Sequence, residues 1–168
     1  MKTLGCILLL GASAWFGLGA VWGLKARVEQ LRGFLGALEE MERELDCRLT
    51  PMPELLNQLA GTDGPVGGFF ALCAGELGHL GEQSFASLWA GALAASDLCL
   101  DGEDLRPLLE LGGSLGRYDR ASQCAAIGQA RARLELRLDE AEERRERLGR
   151  VYGALSLAAG TFLIILLL

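Results

Sequence analysis

With 168 residues, a formal net charge of −6 and one histidine, the chain is too acidic to bind nucleic acid through its phosphates. Five cysteines, none in a C-x-x-C pair, give an odd number that excludes a complete disulfide framework. The length leaves room for one ordinary core between any terminal segments.

Residues 3–24 and 151–168 contain no charged side chain. Each stretch approaches the roughly 20 apolar residues that a helix needs to cross a hydrocarbon layer of about 30 Å. The ends therefore read as transmembrane helices over 1–24 and 151–168, and the chain as a membrane hairpin. Between them, residues 25–150 hold all 22 acidic residues and 15 of the 16 basic ones, a formal charge of −7. This is the water-facing domain. Lys25, Arg27 and Arg32 follow the first span and Arg144, Arg145, Arg147 and Arg150 precede the second, while the outer ends offer only Lys2. Translocating such side chains is disfavoured, which places the domain in the cytoplasm. A signal peptide is the rival reading, with Lys2, an apolar stretch over 4–10 and Ala12-Ser13-Ala14 as the cleavage site. The apolar run continues to Leu24, which fits an uncut anchor better. Cys47, Cys73, Cys99 and Cys124 lie in the domain and read as reduced, buried core thiols.

Past the first span the apolar residues Val28, Leu31, Leu35, Leu38, Leu45 and Leu49 recur at helical spacing, one amphipathic stripe continuing the span. Thr50-Pro51-Met52-Pro53 stops it, and a short helix over 53–60 restarts because proline suits a first turn. Residues 61–68, with four glycines and Pro65, read as a surface turn. Two helices follow, over 66–80 and 83–95, with Phe69, Phe70, Leu77, Phe85, Leu88, Trp89 and Leu93 as core candidates. Gly75, Gly78 and Gly81 weaken the first and call for close contact or a bent end. A helix opening at 101–104, with acids where the macrodipole favours them, is expected to break at Gly112-Gly113. The last helix starts near 118–119. Its apolar residues Leu134, Leu138, Ala141, Leu148, Tyr152 and Leu155 keep their spacing into the second span, with Arg145 at the one polar position. Glu140 with Arg144 and Glu143 with Arg147 read as pairs four apart. No run alternates long enough for a strand. The expected fold is all-α: about six helices in an antiparallel bundle, the first and last paired because one bilayer tethers both. Gly149, Gly153, Ser156 and Gly160 on the second span and Gly19 and Gly23 on the first are small residues suited to close helix packing, either between the chain's own spans or with another membrane protein.

Catalytic chemistry is hard to place. The glycines of 61–68 lack the lysine and hydroxyl of a phosphate loop, because Phe69 and Phe70 follow them. His79 has no partner in view, and the carboxylates fall on charged helix faces. No cofactor, metal or catalytic residue is expected, and a hydrolase using His79 is the weakest of the functional readings. The most distinctive polar stretch is Leu115-Gly116-Arg117-Tyr118-Asp119-Arg120-Ala121-Ser122-Gln123. Asp119 suits a helix cap and Gln123, one turn on, can bond back to it or reach a neighbouring helix. Capping and partner docking are both open here.

Leu115-Gly116, Asp119 and Gln123 resemble the L-G-x-x-D-x-x-x-Q signature of the stage III sporulation protein AB family, and Thr50-Pro51 resembles the T-P that ends that family's first soluble helix. The likeness extends over nearly the whole chain, through its length, anchor, helical middle and leucine-rich terminal span. The glycines at 61–68 and at 75, 78 and 81 exceed the family pattern. The resemblance implies a membrane scaffold in the channel between mother cell and forespore, in the mother-cell membrane around the forespore. It further implies a fold related to the inner-membrane F proteins of type II secretion, and hence docking of a cytoplasmic sporulation ATPase alongside other transmembrane channel subunits. A homo-oligomer is compatible with this. The alternative is a membrane-tethered helical signalling regulator.

Overall fold

The computed structural model describes the backbone of residues 2–48, 50–79, 81, 83–115 and 119–167, and the side chains of residues 22–46, 50–78, 81, 83–115 and 119–151. With no proline before Pro51, the chain runs as one helix, α1 (Lys2–Arg43), and then widens into a π turn over Glu44–Arg48. Pro51 is extended (φ −61°, ψ 142°), and its carbonyl accepts from Glu54 N (3.0 Å) and Leu55 N (3.1 Å) to start α2 (Met52–Ala60). Helix α3 (Pro65–Glu76) begins with proline in its first turn, behind Gly64 at a φ of +88°. It ends in a 3₁₀ turn over Leu77–His79, the bent terminus that its glycines called for. Ser84 caps α4 (Phe85–Ala95) through Oγ, which accepts from Ser87 N at 3.2 Å. Helices α5 (Gly102–Leu115) and α6 (Arg120–Leu167) complete the fold, and among the described residues every element is helical.

Helices α1 and α6 form the most extensive pairing. Arg32 bonds Glu142 (2.6 Å) and Glu42 bonds Arg131 (2.6 Å). Climbing ten residues on α1 thus means descending eleven on α6, so the two are antiparallel and in step. Helix α5 lies on α6, α4 on α5, α3 on both α4 and α1, and α2 on α3. The α1 stripe was legible: Val28, Leu31, Leu38 and Leu45 are buried and Leu35 half-buried. Phe34 and Met41, also fully buried, belong to the same face.

Aromatic rings fill the centre. Phe69 meets Trp89 edge-on (centroids 4.8 Å apart, 89°) and Phe70 at 4.9 Å and 62°, orientations that the ring quadrupoles favour. Trp89 is fully buried, and Nε1 donates to the Leu108 carbonyl at 2.8 Å, which satisfies its single polar atom. The indole lies so close to α5 that a Cβ on Gly112 would stand 2.6 Å from Trp89 Cγ. Gly112 and Gly113 therefore do not break the helix, as their sequence suggested. Gly112 makes room for a ring, and α5 runs through to Leu115.

A second tie joins α1 to the start of α5. Asp101 Oδ1 accepts from Glu103 N (3.1 Å) and Asp104 N (3.0 Å), while Asp104 Oδ2 accepts from Asp101 N (3.1 Å). This is a reciprocal cap built from two aspartates three apart. Arg27 grips the same Asp104 with both prongs, Nε to Oδ2 at 2.7 Å and Nη2 to Oδ1 at 2.8 Å, and reaches Asp101 Oδ2 at 2.9 Å. Asp104 has no exposed surface and the Arg27 side chain only 11%. The hydrogen bond that Arg27 donates to Asp104, outweighing an opposing loss of hydration, pushes the Arg27 pKa further up.

Among the described residues no helix is long and apolar enough to cross a membrane. The spans expected over 1–24 and 151–168 lie mostly outside the residues whose side chains are described, although α1 and α6 carry helical backbone through residues 2–24 and 151–167.

Two substitutions test this account. Gly112→Ala should destabilise the protein by about 1–3 kcal/mol in denaturant unfolding, the usual cost of overpacking a filled core. Arg27→Met should cost about 3–5 kcal/mol by leaving Asp104 buried without its partner. Adding Asp104→Asn should recover part of that loss in a double-mutant cycle.

Candidate functional site

The polar residues singled out in sequence converge at one end of the bundle. From residue 24 to residue 44, α1 rises about 30 Å, and α6 begins at this far end and returns. Here the π turn packs against the first turns of α6. Thr50 Oγ1 donates to Glu44 Oε2 at 2.7 Å, holding a carboxylate that is only 4% exposed. Pro51 then turns the chain into α2. Thr50 and Pro51 thus shape the exit from α1, and the π turn, invisible in the apolar periodicity, is what they secure.

Across the corner Leu115 is buried at the end of α5, and its carbonyl accepts from Gln123 Nε2 at 2.8 Å. That bond fastens the first turn of α6 to the last of α5. Gly116 lies outside the described residues. Asp119 stands just before α6, where its carbonyl accepts from Gln123 N at 3.0 Å. Its carboxylate is exposed and makes no hydrogen bond or ion pair among the described residues. The backbone of Asp119, not its side chain, starts the helix, and the carboxylate is left facing solvent. Asp46 and Glu42 approach Cys124 from the π-turn side, and with burial as the larger cause they push its thiol pKa up.

Other assignments change. Glu140 pairs with Arg137 (2.7 Å) instead of Arg144, and no ion pair joins Glu143 to Arg147 among the described residues. Arg137 wins because it also reaches Glu103 on α5 (2.9 Å), so one guanidinium serves two carboxylates. Arg27 and Arg32, expected only as charges flanking a span, are tertiary ties. The Asp101-x-x-Asp104 spacing was the signal that could have revealed the cap. Among the thiols, burial pushes Cys73 up to about 12, Cys124 is half-buried, and Cys99 is exposed, so it is not a core residue. Cys6 and Cys47 lie outside the described side chains, as does the imidazole of His79. Among the described residues no three His, Cys, Asp or Glu side chains gather as metal ligands. Of the small residues on the spans, Gly19, Gly153, Ser156 and Gly160 lie outside the described side chains, whereas a Cβ on Gly23 or Gly149 would meet nothing within 4 Å.

The family model for stage III sporulation protein AB matches residues 2–168. The stage III sporulation protein AB of Bacillus subtilis (strain 168) is 28% identical over 171 residues, spanning 100% of this chain and 99% of that protein. A solved structure of a stage III sporulation protein AB superposes with a TM-score of 0.66 at 28% identity, covering 73% of this chain and 98% of that one. With the corner motifs and the helical order in place, the chain belongs to the stage III sporulation protein AB family.

Proposed function

We propose that the protein is a non-enzymatic, two-span membrane scaffold of the sporulation machinery. Its helical domain hangs in the mother-cell cytoplasm and docks a motor ATPase at the corner formed by Thr50, Pro51, Leu115, Asp119 and Gln123. Family membership supports the sporulation role, and the uncharged ends support the anchoring. The observation that carries the docking reading is Asp119: its carboxylate stands exposed and, among the described residues, unengaged at a corner where Thr50 and Gln123 are tied down. A side chain that neither caps nor pairs is available to a partner. The spans would meet other channel subunits or a second copy, and the open flanks of Gly23 and Gly149 suit such contacts. No cofactor or nucleic acid enters this reading.

The same helices continue from the ends of the chain into the domain. That continuity is what the alternative requires, a tethered regulator that signals by shifting one long helix against another.

Tagged wild-type and Asp119→Lys proteins recovered from sporulating cells separate these readings. The variant should lose the ATPase from its co-purified partners while its unfolding free energy stays within about 0.5 kcal/mol, as for an exposed substitution. Equal recovery of the ATPase by both proteins would remove Asp119 from the docking surface. Altered early sporulation transcription with the ATPase retained would favour the regulator.

A further inference from the structure

From Arg27 to Arg137 every arginine whose side chain is described, except Arg120 at the far corner, holds a carboxylate. The pattern ends abruptly on α6. Arg144, Arg145 and Arg147 hold no carboxylate among the described residues, and Arg150 donates to the backbone carbonyl of Glu146 at 3.4 Å. At 3.6 residues per turn these four spread around the helix as a collar.

Immediately beyond the collar two large apolar side chains stand exposed. The antiparallel step set by Arg32 with Glu142 places Trp22 of α1 level with Val151 of α6, and the two are 70% and 48% exposed. An exposed tryptophan level with unpaired arginines is the arrangement found where a membrane's headgroups begin. Between α1, α6 and the start of α5 a groove of about 530 Å³ opens beside this level. Arg144, Arg147 and Leu148 line it together with Glu143. Four arginines and four carboxylates line it in all, with Arg27 held by Asp101 and Arg137 shared between Glu103 and Glu140. Arg144 and Arg147 are the two lining guanidiniums that hold no carboxylate among the described residues, and a guanidinium fork matches the geometry of a phosphate.

We propose that this groove, with Arg144 and Arg147 as its donors, binds the phosphate headgroup of an anionic phospholipid in the membrane that anchors the chain. The two unengaged guanidiniums and the exposed Trp22 and Val151 at the same level select the lipid as occupant. The inference rests on the two-span reading, so its test reads insertion separately.

The full-length chain would be reconstituted into vesicles of phosphatidylcholine alone and of phosphatidylcholine with phosphatidylglycerol in equal parts. An alkaline carbonate wash reports insertion, and native mass spectrometry after mild detergent extraction reports retained lipid. Wild-type protein should resist the wash in both vesicles and retain phosphatidylglycerol in preference to phosphatidylcholine. Arg144→Gln with Arg147→Gln should weaken that preference about five-fold per arginine, without changing helicity or wash resistance. Arg144→Lys with Arg147→Lys, which keeps the charge and removes the fork, should keep only part of it. Equal retention of the two lipids by wild type, or an unchanged preference in the glutamine variant, overturns the site while leaving the membrane reading intact. Release of wild type from both vesicles overturns the membrane reading, and the site with it.

Discussion

The antiparallel pairing of α1 with α6 is the constraint on which the remaining structure depends. Two long helices that share one register fix where the chain must turn: α1 has to end, and α6 has to begin, at the same far end. Everything from Thr50 to Leu115 is then a compact excursion between those two points. Its helices gain stability by burying one face on the pair or on one another, as Phe34 of α1 does in meeting Phe69 and Phe70 of α3. Propensity alone would not hold helices as short as α2, at nine residues. Leu55, Leu56 and Leu59 hold it through burial.

This geometry separates two surfaces with different chemistry. At the far corner, Thr50 holds Glu44 and Gln123 holds the Leu115 carbonyl, while the Asp119 carboxylate faces outward. At the near end, Arg144 and Arg147 hold no carboxylate among the described residues and stand beside the exposed Trp22 and Val151. Some 30 Å of paired helix holds these two ends apart.

Much of this was legible in the residues, for reasons that differ by position. The α1 stripe could be read because a single packed face repeats every three or four residues, and the aromatic core because Phe69, Phe70 and Trp89 have few other places to go. Gly112 misled because glycine records two different demands, a break in a helix or a near neighbour, and only the position of Trp89 decides between them. The pairs Glu140–Arg144 and Glu143–Arg147 misled for a related reason. Spacing along one helix is blind to Glu103 on another, which draws Arg137 into the competition. Arg27 was counted with the flanking charges because nothing local marks an arginine that will be buried against a residue 77 positions away. The π turn left no periodic trace, since five residues are too few to shift a pattern that ends at Pro51.

Asp104 completes the reciprocal cap of α5 and also receives the guanidinium of α1. A helix whose start is closed by the residue that anchors it cannot nucleate first and dock afterwards at full strength, since each event raises the likelihood of the other. Local opening of α5 therefore exposes an uncompensated charge on α1, and detachment of α1 strips the opening turn of α5. Fraying at this point is made cooperative, and two segments far apart in sequence behave as a single thermodynamic unit.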